Sequence, residues 1–151
     1  MHYNFKDDLE EAQAVEVSVI NFLREVVPNF EFNGFSGTKG YDAIITISDR
    51  AFYLEIKSDY ITQRTGNIAI EYESRGSLSG ISTSKAHFYA YAVMLPEGMR
   101  VYFMNSNKIR KLIENELYHS KTSGGDIGSN TKFYLFKEAI FAEYGKVLVC
   151  D

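Results

Sequence analysis

Two apolar, β-rich runs separated by almost nothing constrain this chain most. Tyr41-Asp42-Ala43-Ile44-Ile45-Thr46-Ile47 is followed by Ser48-Asp49-Arg50 and at once by Ala51-Phe52-Tyr53-Leu54-Glu55-Ile56-Lys57. Parallel strands need a long crossover, so a connection this short makes the runs an antiparallel hairpin. The start of the first strand then lies beside the end of the second. Glu55 and Lys57 are two apart and leave the same face of their strand, while Leu54 and Ile56 leave the other.

The flanks supply further elements. Ala12, Val15, Val19, Ile20, Leu23 and Val27 recur at spacings of three and four, which predicts an amphipathic helix over 7–27, stopped at Pro28. Residues 33–40 and 58–66 read as loops. Residues 67–73 alternate Ile68, Ile70 and Tyr72 against Ala69, Glu71 and Glu73, the pattern of a third strand. A Gly/Ser-rich stretch over 74–82 leads to an expected helix over 83–95, with Ala86, Ala90 and Val93 on one side. Then come a strand at 100–104, a helix at 106–118, a loop at 120–130 and a short strand at 133–136. The tail from Lys137 fits helix or strand. The order is that of an α/β or α+β fold with one central sheet.

Asp42, Glu55 and Lys57 converge at one end of the hairpin, and that trio suits phosphodiester hydrolysis. Two carboxylates offer hard oxygen ligands to Mg²⁺ or Mn²⁺, and the backbone carbonyl of Ile56 can add another. A metal so held acidifies a bound water and offsets charge on the phosphoryl oxygens. Lys57 can position the water or stabilise the transition state, and its carboxylate neighbours favour the charged form. Glu-x-Lys on a strand is more often a solvated pair. Here the surrounding strand residues are strongly apolar and an Asp opens the preceding strand.

This arrangement of helix, Tyr41-Asp42, hairpin, Leu54-Glu55-Ile56-Lys57, strand and helix resembles the PD-(D/E)XK nuclease superfamily over roughly residues 7–105. Residues 65–73, 79–81 and 83–87 resemble small phage-type members. The resemblance implies a restriction endonuclease-like αβββαβ core within a single domain over 1–151, its mixed sheet flanked by helices. It also implies Asp42, Glu55 and Lys57 as catalytic residues, with Asp42, Glu55 and Ile56 holding Mg²⁺ or Mn²⁺. Tyr41 stands where the family name places proline. Many members add a glutamate from the first helix. Glu16 is the better candidate because it falls on the apolar stripe, where a carboxylate either is bound by something or snorkels to solvent from the stripe's edge; Glu11 lies on a more polar face. Glu71 and Glu73 share a strand face, solvated or turned to the metal. Thr83, Lys85 and Arg75 are the candidate substrate-binding residues, flanking a Gly/Ser loop able to contact phosphate. DNA is the implied partner, and a homodimer acting on branched or recombination DNA fits the resolvase members.

The net charge of −4, from 16 Lys and Arg against 20 Asp and Glu, does not advertise tight binding to nucleic acid. A carboxylate site filled by metal remains compatible with an acidic chain. His2, His87 and His119 are scattered and Cys150 stands alone, which argues against zinc. A lone cysteine and the lack of an apolar run of about 18 residues lead to the expectation of a cytoplasmic protein without a membrane span. Beside the nuclease stand two other readings: a catalytically inactive relative that binds nucleic acid or a partner, and an α/β domain in which the motif is accidental.

Overall fold

The computed structural model describes residues 5–149 other than 39 and 126, with side chains from residue 13 onward. Expectations placed on His2, Glu11, Ala12 and Cys150 lie outside the described side chains. Helix α1 (Phe5–Val26) turns Val19, Ile20, Phe22 and Leu23 into the core and ends just before Pro28. Strand β1 (Phe30–Phe35) alternates exposed and half-buried residues as it pairs with β2 (Ala43–Ile47), so the first three residues of the expected 33–40 loop are strand. β2 and β3 (Arg50–Asp59) form the expected hairpin in register Ile47↔Arg50. Its two turn residues, Ser48 and Asp49, both have positive φ, as the turns that match strand twist require.

The chain then leaves the sheet through a single helical turn, α2 (Thr62–Thr65), and enters a second sheet with β4 (Asn67–Ser74) and β5 (Ser77–Leu78). A 3-10 turn at Gly80–Ser82 returns it to β6 (Phe88–Leu95), which pairs parallel with β3, and to β7 (Gly98–Asn105). Helix α3 (Ser106–Glu114) begins with the Asn105 side chain accepting from the Asn107 N–H at 2.8 Å. β8 (Ser120–Gly124), β9 (Thr131–Lys137), α4 (Glu138–Tyr144) and β10 (Lys146–Val149) complete the order. The molecule is a mixed α+β structure with a six-stranded mixed sheet, β1-β2-β3-β6-β7-β10, and a four-stranded antiparallel sheet, β5-β4-β9-β8.

Further sequence expectations are corrected, beginning with the 58–66 loop, which holds the end of β3 and the α2 turn. The helix over 83–95 is an extended connection followed by β6. Phe88–Leu95 is an almost unbroken apolar run buried on both faces, where helical and strand spacing cannot be told apart by pattern. Its residues alternate like a strand: Ala90 and Ala92 join the core under α1, while Tyr89, Tyr91 and Val93 join the core on the opposite face. The 67–73 strand exists but belongs to the second sheet, so the connection between parallel β3 and β6 runs through strands rather than the helix of an αβββαβ order. Part of the 120–130 loop is β8, whose residues are all exposed on an edge. The ambiguous tail resolves into both, a helix and then a strand.

Two cores result. One lies between α1 and the first sheet. The other lies between that sheet's opposite face, the second sheet, α3 and α4, and includes Ile68, Ile70, Tyr102, Ile109, Phe136 and Phe141. No helix among the described residues is long and apolar enough to cross a membrane.

Candidate active site

The hairpin sets the geometry. Ala43 pairs with Leu54, and both are fully buried toward α1, so the neighbouring positions Asp42 and Glu55 share the other face. The β2–β3 pairing ends at that point. Beyond it the Asp42 N–H donates to the Leu54 carbonyl at 2.8 Å, and the Ile56 N–H donates to the Asp42 carboxylate (Oδ2) at 2.7 Å. N–H and C=O of one strand residue project from the same edge. The Ile56 carbonyl therefore opens toward Asp42, past the end of the β2 ladder.

Asp42 and Glu55 line one cleft of about 220 Å³ together with Tyr41, Gly80, Thr83 and Ser84. Lys57 lies 3.3 Å from Glu55 Oε1; its side chain is 42% exposed while that of Glu55 is 14% exposed. Burial pushes the Glu55 carboxyl above its ordinary value; Lys57 opposes this, and Asp42 and Glu16 add to it. Burial likewise raises Glu16, and the nearby Asp42 charge raises it further while Lys57 pulls it down. Glu16, Asp42, Glu55 and Lys57 thus feel one another's charges, although Glu16 comes from a helix on the other face of the sheet. Three carboxylates with one lysine leave an excess of negative charge that a divalent cation would relieve. Among the described residues, no three His, Cys, Asp or Glu side chains already close on one point as a metal-holding group. The donors that fit Mg²⁺ or Mn²⁺ are the Asp42 and Glu55 carboxylates with the Ile56 carbonyl, a hard-oxygen set.

The expected substrate-binding residues separate. Thr83 stands in the cleft wall beside Ser84. Lys85 is held next to it, its N–H donating to the Gly40 carbonyl at 2.9 Å and its side chain passing close over Gly40. Arg75 is not among the residues lining the cleft. It has φ 53 at the tip of the β4–β5 hairpin, tied through its N–H to the Ser129 carbonyl. Glu73 is paired with Lys132 at 2.8 Å, a solvated-face role. Glu71 sits behind Gly80, where its charge reaches the buried Tyr89 hydroxyl.

Sequence reasoning missed three contributors. Tyr41 lines the cleft and stacks on Tyr53 with centroids 4.0 Å apart; hydrogen bonds with Thr38 and then Ser36 pull its phenol below the ordinary value. Arg110 reaches across from α3 to donate to the carbonyls of Ser84 at 2.9 Å and Ile81 at 3.3 Å, bracing the loop that carries Thr83. Tyr89, opposite Glu55 on β6, has its phenol raised by burial and then by the Glu55 charge. Only Tyr41, adjacent to the motif, carried a sequence signal. The others depend on β6 and α3 meeting the hairpin in space.

The chain matches no family model, no curated protein and no solved structure.

Proposed function

We propose that this chain is a metal-dependent nuclease of the PD-(D/E)XK kind that hydrolyses DNA phosphodiester bonds in the Asp42–Glu55 cleft. One observation carries the reading: the Asp42 carboxylate is fixed on the Ile56 N–H at 2.7 Å and shares a cleft with Glu55, which holds Lys57 at 3.3 Å. The run α1-β1-β2-β3 supports it as the helix-and-three-strand start of the superfamily core. The replacement of the second helix by strands makes this a departure from the standard αβββαβ order.

Asp42, Glu55 and the Ile56 carbonyl would hold Mg²⁺ or Mn²⁺, with Glu16 as the additional carboxylate. A bound cation supplies an acidified water and charge neutralisation at the phosphoryl oxygens. Lys57, paired with Glu55 at 3.3 Å, offsets the negative charge that develops on the phosphoryl oxygens and stabilises the transition state. Thr83, Ser84 and Lys85 orient the phosphate from the opposite wall. Water oxygen bonds to phosphorus as the ester P–O bond breaks; the water gives up its proton and the leaving oxygen gains one.

Incubation with plasmid, single-stranded and branched DNA in Mn²⁺, Mg²⁺ or EDTA tests this. Cutting that requires metal and disappears in Lys57→Ala supports it. The net charge of −4 favours one other reading, an inactive nuclease-like protein that binds nucleic acid or another partner. Absence of both cutting and Mn²⁺ binding would select that reading.

A further inference from the structure

Glu55 faces the cleft, but its ion-pair partner Lys57 lines a second and larger concavity of about 530 Å³. The floor is Ala69, Phe133 and Leu135 of the second sheet. These residues alternate with Ile68, Ile70 and Phe136, which point into the core on the sheet's other face. Ile61, 58% exposed, forms part of the rim, and its neighbour Tyr60 is 63% exposed. Asp59 also lines the groove, but its carboxylate is occupied by Thr62 and the Tyr91 hydroxyl. Lys57 is the only lysine or arginine among the lining residues.

A largely apolar groove roomy enough for a nucleobase, beside the lysine of the proposed phosphodiester-cutting site, suits a flat, apolar-faced group attached to a phosphate. In intact duplex that group is stacked and out of reach; only a base that has left the stack can enter. With an acidic chain and a single cation at the groove, affinity must come from base contact more than from phosphate neutralisation. We infer that this groove seats an unpaired nucleobase of the strand being cut, so that the enzyme acts on single-stranded or frayed DNA in preference to intact duplex. The inference rests on the nuclease reading of the adjacent cleft.

The test is fluorescence anisotropy with labelled oligo(dT) and with a blunt duplex of equal length, using Ca²⁺ in place of Mg²⁺ so that the probes survive. Wild type should bind oligo(dT) at least about tenfold more tightly than duplex. Phe133→Ala and Ile61→Glu should each weaken oligo(dT) binding by about tenfold and leave duplex affinity unchanged. Ile61 is exposed, so its variant keeps the test decisive if Phe133→Ala does not fold. Equal affinity for the two probes, or undiminished oligo(dT) binding by folded Ile61→Glu, overturns the inference. A parallel Mn²⁺ cleavage assay separates the two claims. Cutting without single-strand preference removes the groove and keeps the nuclease; groove-dependent binding without any cutting removes the nuclease and keeps the groove.

Discussion

Asp42 combines a structural contact with a proposed metal-holding charge, and substitution can divide the two. Its Oδ2 accepts the Ile56 N–H, and its charge would hold metal beside Glu55. Asparagine keeps an acceptor for Ile56 but loses the charge, so Asp42→Asn should fold and fail to bind Mn²⁺. In thermal melts, saturating Mn²⁺ should raise the wild-type midpoint by about 5–10 °C, the effect of ligand at roughly a hundred times its dissociation constant. Asp42→Asn and Glu55→Gln should abolish that rise. The rise should also depend on pH. Glu16 and Glu55 have carboxyls raised by burial, so they keep protons to higher pH than ordinary glutamates, and metal must displace those protons. The Mn²⁺ effect should therefore grow as pH rises through the acid range and level off near neutrality; an effect flat across that range would contradict the assignment. Gly80 is the other decisive residue. Its φ of +53 is left-handed, and a methyl group there would collide with the Glu71 carbonyl oxygen. Gly80→Ala should cost about 2 kcal/mol in urea unfolding.

Among the elements, β3 links the two concavities. Its early part pairs with β2, Glu55 and Lys57 lie in its centre, and Asp59 ends it by accepting from the N–H groups of Ile61 and Thr62, the Thr62 hydroxyl and the Tyr91 hydroxyl. Asp59→Ala would take the acceptor from the Ile61 and Thr62 N–H groups and the Tyr91 hydroxyl, leaving the Thr62 hydroxyl its Asn67 carbonyl, and should lower stability by about 2–3 kcal/mol in a denaturant titration. A loss under about 0.5 kcal/mol would mean that the network does not hold the end of β3. The hairpin and its motif were legible in the sequence because the turn is local and the β-rich runs are continuous. β6 was not, because a strand buried on both faces shows no alternation of polarity, and Ala86, Ala90 and Val93 happen to fall at helical spacing. β8 was hidden for the opposite reason: Ser120–Gly124 is polar throughout and is a strand only because β9 pairs with it.

At the scale of the whole molecule, the two sheets determine what stands near the motif. The segment read as a third strand of one sheet instead departs to build the second, and that departure creates both the Thr83–Ser84 wall and the apolar groove beyond Lys57. Asp42, Glu55, Lys57 and Glu16 could be nominated from their order in the chain, since a hairpin and one amphipathic helix suffice to gather them. Arg110 and Tyr89 could not, because their roles arise from packing between elements far apart in sequence. The most direct test is the cleavage rate of one labelled DNA by wild type, Glu55→Gln and Lys57→Ala, with Mn²⁺ and with EDTA. Wild type should cut with Mn²⁺ and not with EDTA, and each variant should cut about a hundredfold or more slowly. Cutting that persists in EDTA, or that proceeds at the wild-type rate in Lys57→Ala, would contradict the nuclease reading.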